Sequence, residues 1–183
     1  KLLARTDLQG KIATAFAPIV NKSTNIKPAR AVIQALTGIS KDRLLPNFTK
    51  QKFSTWFKKH TVKLDGKKRS EVALFPTCLV EYQQPAIGHA VVKVFEHNGI
   101  DCGMPEGQVC CGMPWLDAGD EDKFVEQAKK NVAVLVEEVK KGKAVVVPQP
   151  TCAYVLKKDY PDYLDSDDSR LLAENTFDVS EYL

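Results

Sequence analysis

Adjacent cysteines in the stretch GQVCCGMPW, residues 107–115, are the first feature of this sequence that indicates chemistry. Neighbouring cysteines rarely bond to each other, because disulfide geometry is demanding and the resulting ring is strained. Two thiolates at one point more often bind a metal or take part in a redox reaction. Cys110 and Cys111 are therefore the first candidate site residues.

Three further cysteines, Cys78, Cys102 and Cys152, lie in the same part of the chain. An odd number of cysteines without a secretory signal pattern argues against a disulfide framework and indicates a reducing compartment. The 183 residues contain no apolar run long enough to cross a membrane. Because the sequence does not begin with methionine, we interpret it as a fragment of a longer protein.

Charge is distributed unevenly along the chain. Residues 1–69 contain 16 Lys and Arg against 3 Asp and Glu, whereas residues 70–183 contain 10 against 20. This difference predicts a basic helical linker segment over residues 1–70 and a separate domain over residues 71–183. The basic segment could bind anionic lipid or an acidic partner, or could solubilise the chain and pair with the acidic domain. No nucleic-acid motif accompanies the charge, so no nucleic acid partner is expected.

Strands and helices alternate after Ser70, which predicts an α/β fold with a small parallel, Rossmann-like sheet flanked by helices. Strands are predicted in EVALFPTC, IDCGMPEG and KAVVVPQP. Helices are predicted over residues 84–99, 118–142 and 152–164, the last interrupted by Pro161. The tail FDVSEYL carries no strong signal alone.

Two apolar clusters are expected to pack on this sheet. In the helix over residues 84–99, the residues expected to face inward are Ile87, Val91, Val94 and Phe95. A cluster in the basic segment is expected to cap the core of the domain or to dock on a partner, and consists of Phe53, Trp56 and Phe57. The histidines are interpreted as solvated or core residues: His60, His89 and His97.

Four of the cysteines are expected to meet at one edge of the sheet, where the carboxyl ends of parallel strands gather and ligands bind. Cys78 ends the first strand, Cys152 follows the last, and Cys110 and Cys111 precede the long helix. Such a set could hold Zn²⁺ or an iron–sulfur cluster, or act as a redox dithiol, and the residue types leave these alternatives open. Cys102 is expected to be a buried free thiol.

The stretch FPTCLVEYQQPAIGHAVVKVFEHNGIDCGMPEGQVCCGMPWLDAGD, followed by VVPQPTCAYVLKKDYP, resembles the cysteine-rich CCG domain of heterodisulfide reductase-related iron–sulfur proteins. The resemblance covers residues 71–164. Here 31 residues separate Cys78 from Cys110, and 40 separate Cys111 from Cys152. Gln149 stands where the family's closing Cys-x-x-Cys has its first cysteine. This single-cysteine form is similar to the branch that contains the C subunit of anaerobic glycerol-3-phosphate dehydrogenase.

The resemblance implies an iron–sulfur, electron-transfer domain of an oxidoreductase subunit. Four thiolates suit a [4Fe–4S] cluster at least as well as the five-thiolate cluster of heterodisulfide reductases, and the implied ligands are Cys78, Cys110, Cys111 and Cys152. Gly112 would let the backbone approach the cluster or turn sharply. The other supporting residues are Gln149, a donor to a cluster sulfide, and Thr77 and Thr151, which are expected to cap the following helices or to donate to sulfur.

By the same resemblance, the parent protein has a ferredoxin module and a second CCG repeat, and passes electrons between a flavoprotein dehydrogenase subunit and an acceptor such as a quinone. The fragment itself is not expected to turn over a substrate. It is expected to be cytoplasmic, or peripheral at the inner face of the cytoplasmic membrane. One repeat alone is expected to hold the cluster loosely and to lose it on isolation. A structural zinc domain and a thiol–disulfide redox domain are the alternatives.

Overall fold

A four-stranded parallel sheet forms the centre of the computed structural model, which describes residues 4–183. The strands are Ser70–Leu74 (β1), Ile100–Gly103 (β2), Ala144–Val147 (β3) and Thr176–Asp178 (β4). Their spatial order is β2-β1-β3-β4, and every neighbouring pair is parallel. The prediction of an α/β fold with a small parallel sheet flanked by helices is confirmed.

Helices precede the sheet and connect its strands. None of those within residues 4–183 is long and apolar enough to cross a membrane. A π-helical turn, Val155–Asp159, joins two of the helices near the C-terminus. In chain order the helices are α1 (Thr6–Ala15), α2 (Ala17–Thr24), α3 (Lys27–Thr37), α4 (Phe53–Phe57), α5 (Cys78–Tyr82), α6 (Pro85–His97), α7 (Met113–Asp117), α8 (Glu121–Lys140), α9 (Pro150–Tyr154), α10 (Tyr160–Leu164), α11 (Asp167–Glu174) and α12 (Val179–Tyr182).

A hydrophobic core covers each face of the sheet, because successive strand residues point to opposite sides. Val72 and Leu74 of β1 belong to one cluster, which includes Phe95 of α6. Ala73 and Phe75 belong to the other cluster, to which α8 contributes its apolar face. Continuous apolar strands of this kind are typical of a parallel sheet that helices cover on both sides.

The buried face of α6 differs from the prediction by a small rotation. Val91 and Phe95 are buried as expected, but Ile87 and Val94 are 39% and 43% exposed. The helix lies close to its neighbours at Gly88, where an added Cβ would stand 2.5 Å from the Phe53 ring. Because glycine has no side chain, α6 can approach Phe53 at Gly88. The buried face of the helix is therefore centred on Gly88, and Ile87 and Val94 lie at its margins.

The C-terminal third also differs from the prediction in two respects. The chain stays helical from Pro150 to Leu164, so Pro161 does not interrupt the helix; the π-helical turn just before it accommodates the proline. The tail, for which no structure was predicted, forms β4 and α12. β4 pairs with β3 at the edge of the sheet, so its formation depends on a distant partner and not on a local pattern.

The described part of the basic segment forms helices α1 to α4 and packs against the domain. Phe53 is completely buried in the cluster around α6, with Trp56 and Phe57 packed against it. The interpretation that these aromatic residues cap the core is confirmed. The domain boundary at residue 70 stays a prediction, and Ser54 reaches across it to donate hydrogen bonds to the Glu81 carboxylate.

Candidate functional site

The local fold brings four cysteines to the carboxyl edge of the sheet. Contrary to the prediction, Cys78 does not end the first strand: β1 ends at Leu74, and Cys78 is the first residue of α5, which follows it. Cys152 lies in α9, the helix that follows β3. β1 and β3 are hydrogen-bonded neighbours in the middle of the sheet, so their carboxyl ends lie side by side. Cys110 and Cys111 lie in the loop between β2 and α7. They pack in one cluster with Cys152 and Cys78, so this loop also lies at the carboxyl edge of the sheet.

The four thiols form a row of neighbouring pairs. Cys110 interacts through its thiol with Cys78 and with Cys111, and Cys111 interacts with Cys152. Cys110, Cys111 and Cys152 are buried, and Cys78 is partly exposed. All are free thiols. Within residues 4–183, no three His, Cys, Asp or Glu side chains surround a single metal position.

The fifth cysteine lies apart from this row. Cys102 sits in β2 and belongs to the cluster on the opposite face of the sheet, with Val72 and Phe95. Burial raises the pKa of its thiol to about 12, so the group stays protonated at neutral pH. This placement fits the expected buried free thiol.

Ionisation of the clustered thiols is coupled. Hydrogen bonds from the Cys111 and Cys78 thiols lower the pKa of Cys110 well below its usual range. The hydrogen bond to Cys110 in turn raises the pKa of Cys78 and of Cys111, and burial adds to both increases. Ionisation of one of these thiols therefore opposes ionisation of its neighbours, which favours retention of their protons. A cation bound here would displace the remaining protons.

Gly112 follows the cysteine pair in a backbone conformation that side chains disfavour. Its φ is +93°, and it occupies the N-cap position of α7. An added Cβ would stand 2.8 Å from Cδ2 of Phe124, which is completely buried. Glycine is thus required both for the sharp turn and for the close approach of the Cys110–Cys111 loop to α8.

Two buried polar side chains form hydrogen bonds with the backbone of the loop that carries Cys110 and Cys111. Neither of them was predicted from the sequence. Asn131 of α8 accepts a hydrogen bond from the Val109 N–H at 2.9 Å and donates to the Cys110 carbonyl at 3.2 Å. The Tyr160 hydroxyl donates to the Cys111 carbonyl at 2.9 Å and lies 2.9 Å from the Asn131 amide nitrogen. The available signal for this contact was an asparagine within the apolar face of the predicted helix. A buried amide, as Asn131 proves to be, needs internal hydrogen-bond partners.

The predicted supporting residues have unequal roles. Thr77 caps α5, because its hydroxyl accepts a hydrogen bond from the Val80 N–H at 3.4 Å. The predicted cap by Thr151 is wrong: α9 starts at Pro150, so Thr151 lies inside the first turn, and Gln149 occupies the N-cap position without a side-chain cap. Gln149 Oε1 instead accepts from the Cys152 thiol at 3.7 Å. Its role as a donor to a cluster sulfide stays a prediction.

One side of the cysteine row faces the basic segment. A cavity of about 400 Å³ opens beside Cys78 and Cys110, with Lys52 and Lys58 in its wall. The first turn of α1 reaches the same place, where the Asp7 carboxylate accepts a hydrogen bond from the Cys110 N–H at 2.8 Å. No pattern in the sequence indicated this contact.

Comparison with known proteins adds independent observations. The model of a family described as the cysteine-rich domain CCG matches residues 72–157. The C subunit of anaerobic glycerol-3-phosphate dehydrogenase from Escherichia coli K12 is 34% identical over 171 residues, which cover 93% of this chain and 43% of that protein. No solved structure matches the chain.

Two other relatives match a shorter part of the chain. Lactate utilization protein A of Bacillus licheniformis is 31% identical over 119 residues, which cover 62% of this chain and 48% of that protein. The B subunit of the fumarate reductase (CoM/CoB) from Methanothermobacter marburgensis is 32% identical over 114 residues, which cover 62% of this chain and 21% of that protein. The chain therefore spans less than half the length of these curated relatives.

Proposed function

Because residues 72–157 belong to the family of cysteine-rich CCG domains, we propose that this chain is an iron–sulfur electron-transfer domain of an oxidoreductase subunit. Its proposed cluster ligands are Cys78, Cys110, Cys111 and Cys152. The observation that carries the proposal is the meeting of these four thiols at one edge of the sheet, while Cys102 lies on the opposite face.

The chemistry of the donor set fits an iron–sulfur cluster. Thiolate sulfur is the usual protein ligand of such clusters, and four thiolates match the requirement of a [4Fe–4S] cluster. Position 149, where a fifth cysteine ligand would stand in a five-thiolate site, is a glutamine, and this supports the [4Fe–4S] type. When bound, the cluster supplies one-electron redox chemistry.

The surrounding residues would bind and shield that group. Asn131 and Tyr160 bind the backbone carbonyls of the cysteine pair through buried hydrogen bonds, so the backbone of the ligand loop would be held in place before binding. The burial of three of the four thiols excludes water on the side of α8. The cavity beside Cys78 leaves the other side accessible to a redox partner.

Partners and location are proposed from the resemblance to the CCG domain family, and the names of the relatives support only the presence of partner subunits. The glycerol-3-phosphate dehydrogenase and fumarate reductase relatives are both single subunits of multi-subunit enzymes. We propose that the whole protein receives electrons from a flavoprotein dehydrogenase subunit and passes them to an acceptor such as a quinone. A ferredoxin module, a second CCG repeat, and a cytoplasmic position at the inner face of the membrane belong to the same proposal.

Anaerobic reconstitution with iron and sulfide tests the proposal. The chain should gain broad visible absorption that dithionite bleaches, with about four irons per chain. The double variant Cys110→Ser/Cys111→Ser should gain neither, whereas Cys102→Ser, the matched control, should behave as the unaltered chain does. A colourless protein that binds one zinc ion and takes up no iron would contradict the proposal and support a structural zinc domain.

A further inference from the structure

The first turn of α1 touches the loop that carries the cysteine pair, although it comes from the other end of the chain. Asp7 lies 103 residues before Cys110, whose N–H donates to its Oδ2 at 2.8 Å. The hydroxyl of Tyr82 lies 3.5 Å from its Oδ1. The neighbouring Thr6 hydroxyl is buried, adjoins the Cys110 sulfur, and has no nitrogen or oxygen partner in the described part of the chain.

Close packing fixes α1 in this position. Gly10, one turn after Asp7, lies against the Tyr82 ring, and an added Cβ there would stand 2.3 Å from Cδ2 of that ring. Tyr82 ends α5, the helix that begins with Cys78. The packing of Gly10 against Tyr82 therefore restrains α1 relative to α5, and the Asp7 carboxylate lies near both Cys78 and Cys110.

Burial makes the Asp7 carboxylate dependent on its partners. Most of the side chain is removed from water, and this burial raises the pKa of the carboxyl group, while the Cys110 N–H opposes the increase. A buried carboxyl group without hydrogen-bond partners is strongly unfavourable. The Cys110 N–H, in turn, would have to be satisfied by other means if Asp7 were absent.

We propose that Asp7 is a positioning residue of the thiol site, which holds the Cys110 backbone so that the Cys110 sulfur faces the other three thiols. Asp7 lies outside residues 72–157, the segment that the family model matches. The basic segment thus completes the site as well as preceding the domain. This inference rests on the proposed function only for the identity of the group that the thiols bind.

Hydrogen exchange at the Cys110 amide, measured on the metal-free chain, tests the contact directly. Asp7→Ala removes the acceptor and should accelerate exchange at this amide about tenfold or more, because hydrogen bonds to charged groups are among the stronger ones. Asp7→Asn keeps an acceptor oxygen and should restore protection. The matched control is Ser54→Ala, which weakens another of the hydrogen-bonded links between the basic segment and the domain and should leave this amide unchanged.

Two results would overturn the proposal. One is equal exchange in Asp7→Ala and the unaltered chain. The other is equal acceleration in Ser54→Ala, which would mean that Asp7 acts only through general attachment of the segment. If Asp7→Ala does not fold, Asp7→Asn decides the question. Loss of protection at the Cys110 amide, or a lower melting temperature, in Asp7→Asn would then contradict the proposal.

A second readout follows reconstitution. The electron paramagnetic resonance spectrum of the reduced cluster should change in Asp7→Ala, because the Cys110 sulfur moves, and should stay unchanged in Asp7→Asn and Ser54→Ala. An identical spectrum in Asp7→Ala would refute the positioning role. If the unaltered chain takes up no cluster, the proposed function fails, while the exchange result still decides whether Asp7 positions Cys110.

Discussion

Substitution of Gly112 by alanine should lower the unfolding free energy far more than the same substitution at a glycine with similar backbone geometry elsewhere. Gly142 has a φ of +83°, close to the +93° of Gly112, but nothing lies within 4 Å of its added Cβ. Gly142→Ala therefore measures the backbone cost alone, which is about 1–2 kcal/mol of unfolding free energy. At Gly112 the added Cβ also meets Cδ2 of Phe124 at 2.8 Å.

Phe124 has little freedom to move away, because its side chain is completely buried and contacts the rings of Tyr160 and Tyr163. Overpacking of such a site costs about 1–3 kcal/mol, so Gly112→Ala should lose about 2–5 kcal/mol in total. Urea denaturation of both variants measures the difference. Equal losses in Gly112→Ala and Gly142→Ala would refute the argument that the cysteine loop needs glycine to approach α8.

Three other substitutions test separate parts of the structure. Thr77→Ala should reduce the unfolding free energy by about 1 kcal/mol in a urea titration, because α5 loses its cap. Tyr160→Phe should cost about 1–3 kcal/mol by the same method, since Asn131 and the Cys111 carbonyl lose a buried partner. The Cys102 thiol has a pKa raised from 9.0 to about 12, so it ionises first in the unfolded chain, and stability should fall as pH rises through this window. Cys102→Ala should remove that part of the decline, and an unchanged pH profile of the melting temperature would contradict the assignment.

The sheet and the cysteine site were predictable because their signals are local or follow from topology. Short apolar runs such as those of β1 and β3 are typical of buried strands, and a parallel arrangement places the residues after them at one edge. Cys78 and Cys152 lie in the helices that follow these strands, so their convergence required no knowledge of side-chain contacts. β4, in contrast, has three residues and depends on pairing with β3.

The parts that escaped prediction depend on contacts between distant residues. The rotation of α6 results from packing of Gly88 against Phe53, which belongs to another helix. The contact between Asp7 and Cys110 joins distant parts of the chain, and an aspartate in a first helical turn has an ordinary explanation in the helix dipole. Asn131 was the exception, because an amide on an apolar helix face is visible in the sequence.

Iron content after reconstitution, measured for five single Cys→Ser variants, tests the central claim most directly. Iron should fall in the variants of the four residues at the sheet edge, which are Cys78, Cys110, Cys111 and Cys152. Cys102→Ser should keep the iron content of the unaltered chain, because Cys102 lies on the other face of the sheet. Iron that depends on Cys102, or that survives loss of Cys110 or Cys111, would contradict the claim that these four thiols form one cluster site.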